Sequence, residues 1–248
     1  MSKLILLGID GLDHDLVEQL NLVALMQKQH GKITVPISPI TGSPFSPSVW
    51  ATFLTGRNVE ASFIAIDESL NRFGELDHET FIDWVGVGAV NVPFYNHEIE
   101  TLATIIKIHK LRKTYRDNQD KRETIISNMI KAHTIRAKEI LIETIQANDD
   151  PDCSVVFAFI QTMDTLQHYL FERPEILKNI YLELDVIVSN FKKQIRDTPL
   201  IIVSDHGFKG YHHSHEGFFS SNHTLTNKPT NIIDFHKIIE TIMFHERD

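Results

Sequence analysis

The stretch LILLGIDG, Leu4 to Gly11, stays apolar through Ile9 and then stops on Asp10 and Gly11. An unbroken apolar run of this length, without polar alternation, is the pattern of a parallel strand buried on both faces. The Gly-Ile-Asp-Gly ending reads as a functional loop at its carboxyl end. The same shape recurs downstream. Ser154 to Ile160 is a strongly apolar run followed by Asp164 and His168, and Leu200 to Val203 runs into Ser204, Asp205, His206 and Gly207.

Between these runs the spacing turns helical. Leu12 to Gln27 carries Leu12, Leu16, Leu20 and Val23 on one face and predicts a helix; Lys32 to Ile37 predicts a second strand. In TGSPFSPSVWATFLTGRN, Pro47 suits a first helical turn, Ser46 an N-cap and Gly56 a C-terminal stop, so a helix is expected from about Pro47 to Thr55. Phe81 to Val85 reads as a short helix and Val87 to Val92 as a strand. Thr124 to Ile145 and Pro174 to Ile195 read as long amphipathic helices. Thr230 to Phe244 reads as a closing helix capped by Thr230. Strand and helix alternate along the chain, which predicts an α/β fold: a doubly wound, mostly parallel central sheet flanked by helices. A single domain over residues 1–248 is expected, with a small helical insertion within about 94–150.

With 248 residues the chain is long enough for a full hydrophobic core, and 42% hydrophobic and 23% charged residues are ordinary globular values. The net charge of -9 argues against a nucleic-acid-binding surface. The single cysteine, Cys153, excludes an intrachain disulfide and fits a reducing compartment. The first apolar run is too short for a signal segment, and no run approaches the ~20 apolar residues of a membrane span. A cytoplasmic protein without membrane contact is the expectation. The basic segment Lys107 to Arg122 reads as a solvated face, and nothing in the sequence fixes an oligomeric state.

Ligands bind outside the carboxyl ends of the strands in open α/β sheets. Three carboxylates there, Asp10, Asp164 and Asp205, would repel one another unless a cation lay between them. Asp164 and His168 are four apart, so on a helix they share a face. Asp205 and His206 can converge in a turning loop. Carboxylate with imidazole suits zinc and tolerates manganese. Each of these residues has an ordinary reading when taken alone: a helix cap, a surface histidine, a solvated loop at HHSH. Their joint occurrence at three strand ends favours metal. Ser46, at a helix start with its positive dipole, then becomes a candidate nucleophile.

These motifs together resemble the alkaline phosphatase superfamily, in its type I phosphodiesterase/nucleotide pyrophosphatase branch. GIDGLDHDLV is similar to that family's first metal-binding strand, and SPSVWATFLTGRN to its nucleophile segment. WVGVGAVNVPF resembles its central strand, MDTLQHYLF and VSDHGF its next metal motifs, and HHSHEGFF its last. The resemblance implies two divalent cations, zinc or manganese. One would be held by Asp10, Ser46, Asp205 and His206, the other by Asp164, His168 and His213, with His215 the rival for the last place. It also implies in-line attack by Ser46 on a small phosphoester, through a phospho-enzyme. A phosphomonoesterase or other phosphoryl-transfer enzyme of the superfamily is the alternative, as is a non-catalytic metal-binding scaffold. Ser46 is followed by Pro47, with no arginine where a sulfatase would need one.

Overall fold

The computed structural model of the chain describes residues 3–60, 66–67, 72–73, 76, 78–95, 110, 113–115, 117, 121–210 and 212–244. The first apolar run forms strand β1, Leu4–Ile9, and every one of its residues is buried. It pairs in parallel with β4, Val155–Ile160, on one side and with β5, Leu200–Ser204, on the other. Strand β3, Val87–Val90, adds to β4 in parallel. Beyond β5 lies β6, Glu216–Ser221, which runs antiparallel to β5 and also to the edge strand β2, Gln29–Thr34. The order is therefore β2-β6-β5-β1-β4-β3, with β6 alone reversed.

The two-residue period of the strands sorts the core into two layers. Ile5, Leu7 and Ile9 point to one face, with Val156, Ala158 and Ile160. Covering that face are α4, Arg122–Asp149, α5, Thr162–Leu170, and α6, Pro174–Ile195. Leu4, Leu6, Val155, Phe157 and Phe159 point to the other face. There they meet α3, Ser46–Thr55, and α7, Asp234–Phe244, around an aromatic nest of Trp50, Phe53, Phe81 and Phe235.

Several boundaries differ from the sequence reading. The helix expected over Leu12 to Gln27 is two, α1, His14–Gln19, and α2, Val23–Met26. Asn21 between them takes φ 50, and the start of α2 is instead held by Asp185 of α6, whose Oδ1 accepts from Ala24 N and Leu25 N at 2.9 and 3.0 Å. The second strand lies at Gln29–Thr34, three residues before the expected start, because its register is set by pairing Thr34 with Glu216 and Gln29 with Ser221. The last helix begins at Asp234, not Thr230. Asn231 bridges to Thr34, and Thr230 donates to the Asp234 carboxylate instead of capping. Of the segment 94–150, residues 96–109, 111–112, 116 and 118–120 lie outside the described residues, as does much of Lys107 to Arg122. Its remainder includes α4, whose Ile125, Met129, Ile140 and Leu141 are buried in the layer covering the sheet.

Candidate active site

Strands β4, β1 and β5 are neighbours, and all three end at the same edge of the sheet. Asp10 follows β1 directly and is buried. Asp164 lies in the first turn of α5, just after β4, with its amide donating to Asp10 O at 3.0 Å. Asp205 and His206 follow β5 and are wholly buried. Gly11 joins two of these loops: its N–H donates to Asp205 Oδ1 at 3.1 Å, and its φ is +71. A Cβ there would lie 2.8 Å from Asp164 Cα, so only glycine lets the β1 loop and the start of α5 come this close.

His213 reaches the same place from the other side. Phe208–Lys209 and His212–His213 form a small antiparallel hairpin, with Phe208 opposite His213. His213 Nε2 comes to 3.3 Å from Asp164 Oδ1 and 3.1 Å from His168 Nε2, and His168 Nε2 is 3.2 Å from the same Asp164 oxygen. The rings of His206 and His213 stack at 3.8 Å. His215 and His212 are exposed, outside this cluster.

Ser46 closes the arrangement. It is the first residue of α3, whose cap position is held by Phe45, so Ser46 is not the N-cap expected from the sequence. Its hydroxyl is thereby free to point inward, 3.3 Å from Asp10 Oδ1 and 3.0 Å from His206 Nε2. Pro47 has no amide N–H, and Ser48 N and Val49 N both donate to Phe45 O at 2.8 and 3.1 Å. The helix start therefore offers Ser46 its dipole more than free N–H groups.

The electrostatics are those of crowded acids. Burial raises the Asp10 carboxyl well above its usual range, and the Asp205 and Asp164 carboxylates push it the same way. Burial would also raise Asp164, but contacts with His168 and His213 and the field of His206 outweigh it and hold that carboxyl low. Burial pushes the His206 imidazole down, against the pull of Asp205. In His213 the Asp164 carboxylate wins over burial, and its imidazole titrates above the usual histidine range.

Whether these residues suit a cation can be judged from their own atoms. Asp164 Oδ1 and Asp205 Oδ2 are buried yet accept no well-aligned hydrogen bond, which is costly unless something else satisfies them. His206 Nδ1 sits 3.1 Å from Gly207 O, and His213 Nδ1 sits 3.1 Å from Pro44 O. Each ring therefore donates its Nδ1–H outward and presents a bare Nε2 to the centre, the arrangement of metal-binding histidines. Two sets of donor atoms lie within 4.8 Å of one another: Asp10, Asp205 and His206, and Asp164, His206 and His213. The donor chemistry fits a divalent cation in each.

Two supporting residues escaped the sequence reading. Gln167 is fully buried one turn after Asp164 and donates to Gly11 O at 2.6 Å. Its Oε1 accepts from Tyr181 of α6 at 2.9 Å, and that hydroxyl in turn accepts from Asp13 N at 2.9 Å. Both looked like ordinary helix positions, and only the tertiary contact reveals them.

A mostly parallel sheet between two helix layers, with serine, acids and histidines gathered at its carboxyl edge, defines an alkaline-phosphatase-like α/β protein. The sequence model of the type I phosphodiesterase/nucleotide pyrophosphatase family matches residues 83–240, well over half of the chain. The chain belongs to this family, and it is a hydrolase of phosphoester bonds. The match begins downstream of Asp10 and Ser46. No curated protein matches the sequence. Among solved structures, the alkaline phosphatase from the Antarctic bacterium TAB5 superposes with a TM-score of 0.60 at 15% identity, over 98% of this chain and 99% of that one. The murine ectonucleotide pyrophosphatase/phosphodiesterase 5 gives a TM-score of 0.46 at 14% identity, over 83% of this chain and 57% of that one. At 15% identity the likeness to the alkaline phosphatase concerns the fold.

Proposed function

We propose that this chain, acting as one catalytic domain, hydrolyses a small phosphodiester with Ser46 as nucleophile and two divalent cations as cofactors. Asp10, Ser46, Asp205 and His206 would hold one cation, and Asp164, His168 and His213 the other. Zinc suits the mixed carboxylate and imidazole donors best, and manganese is compatible. The single observation behind this reading is the convergence at one sheet edge: Ser46 Oγ lies 3.0 Å from His206 Nε2 and 3.3 Å from Asp10 Oδ1, beside two buried carboxylate oxygens that accept no well-aligned hydrogen bond.

The chemistry follows from that placement. Ser46 Oγ, giving up its proton, attacks phosphorus; the P–O bond to the leaving group breaks, and that oxygen departs with the electron pair and is protonated. The phosphorus, still carrying its second ester group, is left bonded to Ser46 Oγ as a seryl phosphodiester. Water then attacks this phosphorus and loses a proton, the bond to Ser46 Oγ breaks, the serine oxygen regains a proton, and the product leaves as a phosphomonoester. Divalent cations, when bound, neutralise phosphate charge and lower the pKa of hydroxyl and water. Positioning and charge stabilisation carry most of such a reaction. The chain contributes them through the buried carboxylates, the fixed Nε2 atoms and the start of α3.

Purified protein should hydrolyse bis(p-nitrophenyl) phosphate, lose that activity on chelation, and regain it with zinc or manganese. Ser46→Ala should lower kcat on the order of 10³-fold or more while the fold survives. A fully active Ser46→Ala protein would remove the nucleophile from this account. Faster turnover of p-nitrophenyl phosphate than of the diester would point to a monoesterase on the same site.

A further inference from the structure

Asp13 lies outside both donor sets, yet it touches the segments that carry them. Its side chain is almost wholly buried. Its Oδ1 accepts from Leu16 N at 3.0 Å and so caps α1, an ordinary role for an aspartate at a helix start. Its Oδ2 does something a cap does not require: it accepts from Phe208 N at 2.8 Å, on a segment almost two hundred residues away in the chain. The carboxylate sits flush against Gly207, where a Cβ would come within 2.4 Å of Oδ2. Gly207 follows His206 directly, and Phe208 is the residue paired with His213.

Among the described residues the hairpin that carries His213 is held in several places: at His213 itself Nδ1 lies 3.1 Å from Pro44 O and the ring stacks on His206. The hairpin's strands are two residues each. Near its base, Gly207 N reaches Ser214 Oγ and Ser214 N reaches Gly207 O, both at 2.9 Å. The Phe208 ring packs against His168 and His213, with centroids 4.9 and 5.5 Å apart. The charge-assisted hydrogen bond from Phe208 N to the buried Asp13 carboxylate is stronger than the neutral contacts at the hairpin's base. Asp13 is itself fixed from behind, its amide donating to Tyr181 and, through Tyr181 and Gln167, tied back to Gly11.

We propose that Asp13 is a positioning residue that holds the His213 hairpin against the Asp164 donor set, and so sets the affinity for one cation of the pair. This rests on the two-cation reading above. Asp13→Ser separates the two roles of the carboxylate: serine can still cap α1 through Leu16 N, but its shorter side chain cannot also reach Phe208 N. Calorimetric titration of zinc into chelator-stripped wild type, Asp13→Ser, His213→Ala and the double variant reads the outcome. The wild type should bind two zinc ions. Asp13→Ser should keep one of these affinities and weaken the other by about 10–100-fold, the usual effect of losing an outer partner of a ligand. The double variant should bind no more weakly than His213→Ala alone, because Asp13 acts through His213. Asp13→Ser that binds both ions as the wild type does, or additive losses in the double variant, would overturn the proposal and leave the two-cation reading standing. A wild type that binds no zinc would overturn both.

Discussion

Asp10 sits among like charges in the cluster. It is buried beside the Asp205 and Asp164 carboxylates, and its own carboxyl is raised by burial first and by those neighbours second. The sign of the consequence is definite. A folded-state value above the unfolded one, about 3.9 for a free aspartate, means that stability is fully present below the unfolded value and is lost as pH rises through the folded one. Asp10→Asn escapes that loss. Without cation, the variant should therefore gain on the wild type in urea midpoint as pH is raised from 4 to 8, and stand above it at the top of that range. With zinc present the order should reverse, because the proposed site uses the ionised Asp10 as a ligand. A variant that falls further behind the wild type as pH rises, with no cation added, would show that Asp10 is not under this strain. At this scale the sequence was informative about residue types and silent about orientation. His213 and His215 stood as rivals because both sit in one short run. The hairpin decides between their positions by setting His213 opposite Phe208, over the cluster, and leaving His215 exposed. Asp13 was hidden, because the helix was expected from Leu12 and so enclosed it; its cap position appears only with the start of α1 at His14, and its bond to Phe208 has no trace in local sequence.

Among the elements, α3 shows how the two ends of one helix do different work. Its first residue, Ser46, faces the acids, and its stop is Gly56 at φ 64, whose N–H donates to Thr52 O. A Cβ on Gly56 would come within 2.6 Å of His236 Cγ on α7, so both backbone conformation and packing demand glycine. Gly56→Ala should destabilise the protein by about 1–3 kcal/mol in urea unfolding. The ten residues of α3 span roughly 15 Å, so the hydroxyl at the far end should keep its place, and kcat of the folded fraction should stay within about twofold. A collapse of kcat with little loss of stability would mean that the end of α3 steers its beginning. Gly56, Pro47 and the apolar interior made α3 legible in the sequence. The break at Asn21 was not, because the apolar spacing of Leu16, Leu20 and Val23 continues across it. What splits the helix is Asp185, a distant side chain that starts α2 afresh.

For the molecule as a whole, the informative fact is that three adjacent strands deliver their loops to one edge while two helix layers cover the faces. Unbroken apolar runs reveal such strands and their burial, but they carry no direction. The reversal of β6, and the pairing that shifts β2, follow only from the return of the chain past the His213 hairpin. The same arrangement makes cation binding a property of global stability. The donor groups come from the β1 loop, α3, α5, the β5 loop and the hairpin, segments far apart in sequence that unfolding would scatter. An ion held by them binds the native state alone, and linkage then adds about 2.7 kcal/mol for each site at a free cation concentration a hundred times its Kd. In a chain of 248 residues each kcal/mol moves Tm by roughly 2–4 °C. Zinc added to chelator-stripped protein should therefore raise Tm by at least about 5 °C at neutral pH. The rise should be smaller at pH 5, where protons compete for the same carboxylates and imidazoles. His206→Ala should remove at least about half of it, since in the proposed site His206 holds the cation beside Asp10 and Asp205. His215→Ala, outside the cluster, should leave it intact, and an equal loss in the two variants would show that zinc acts somewhere other than this edge.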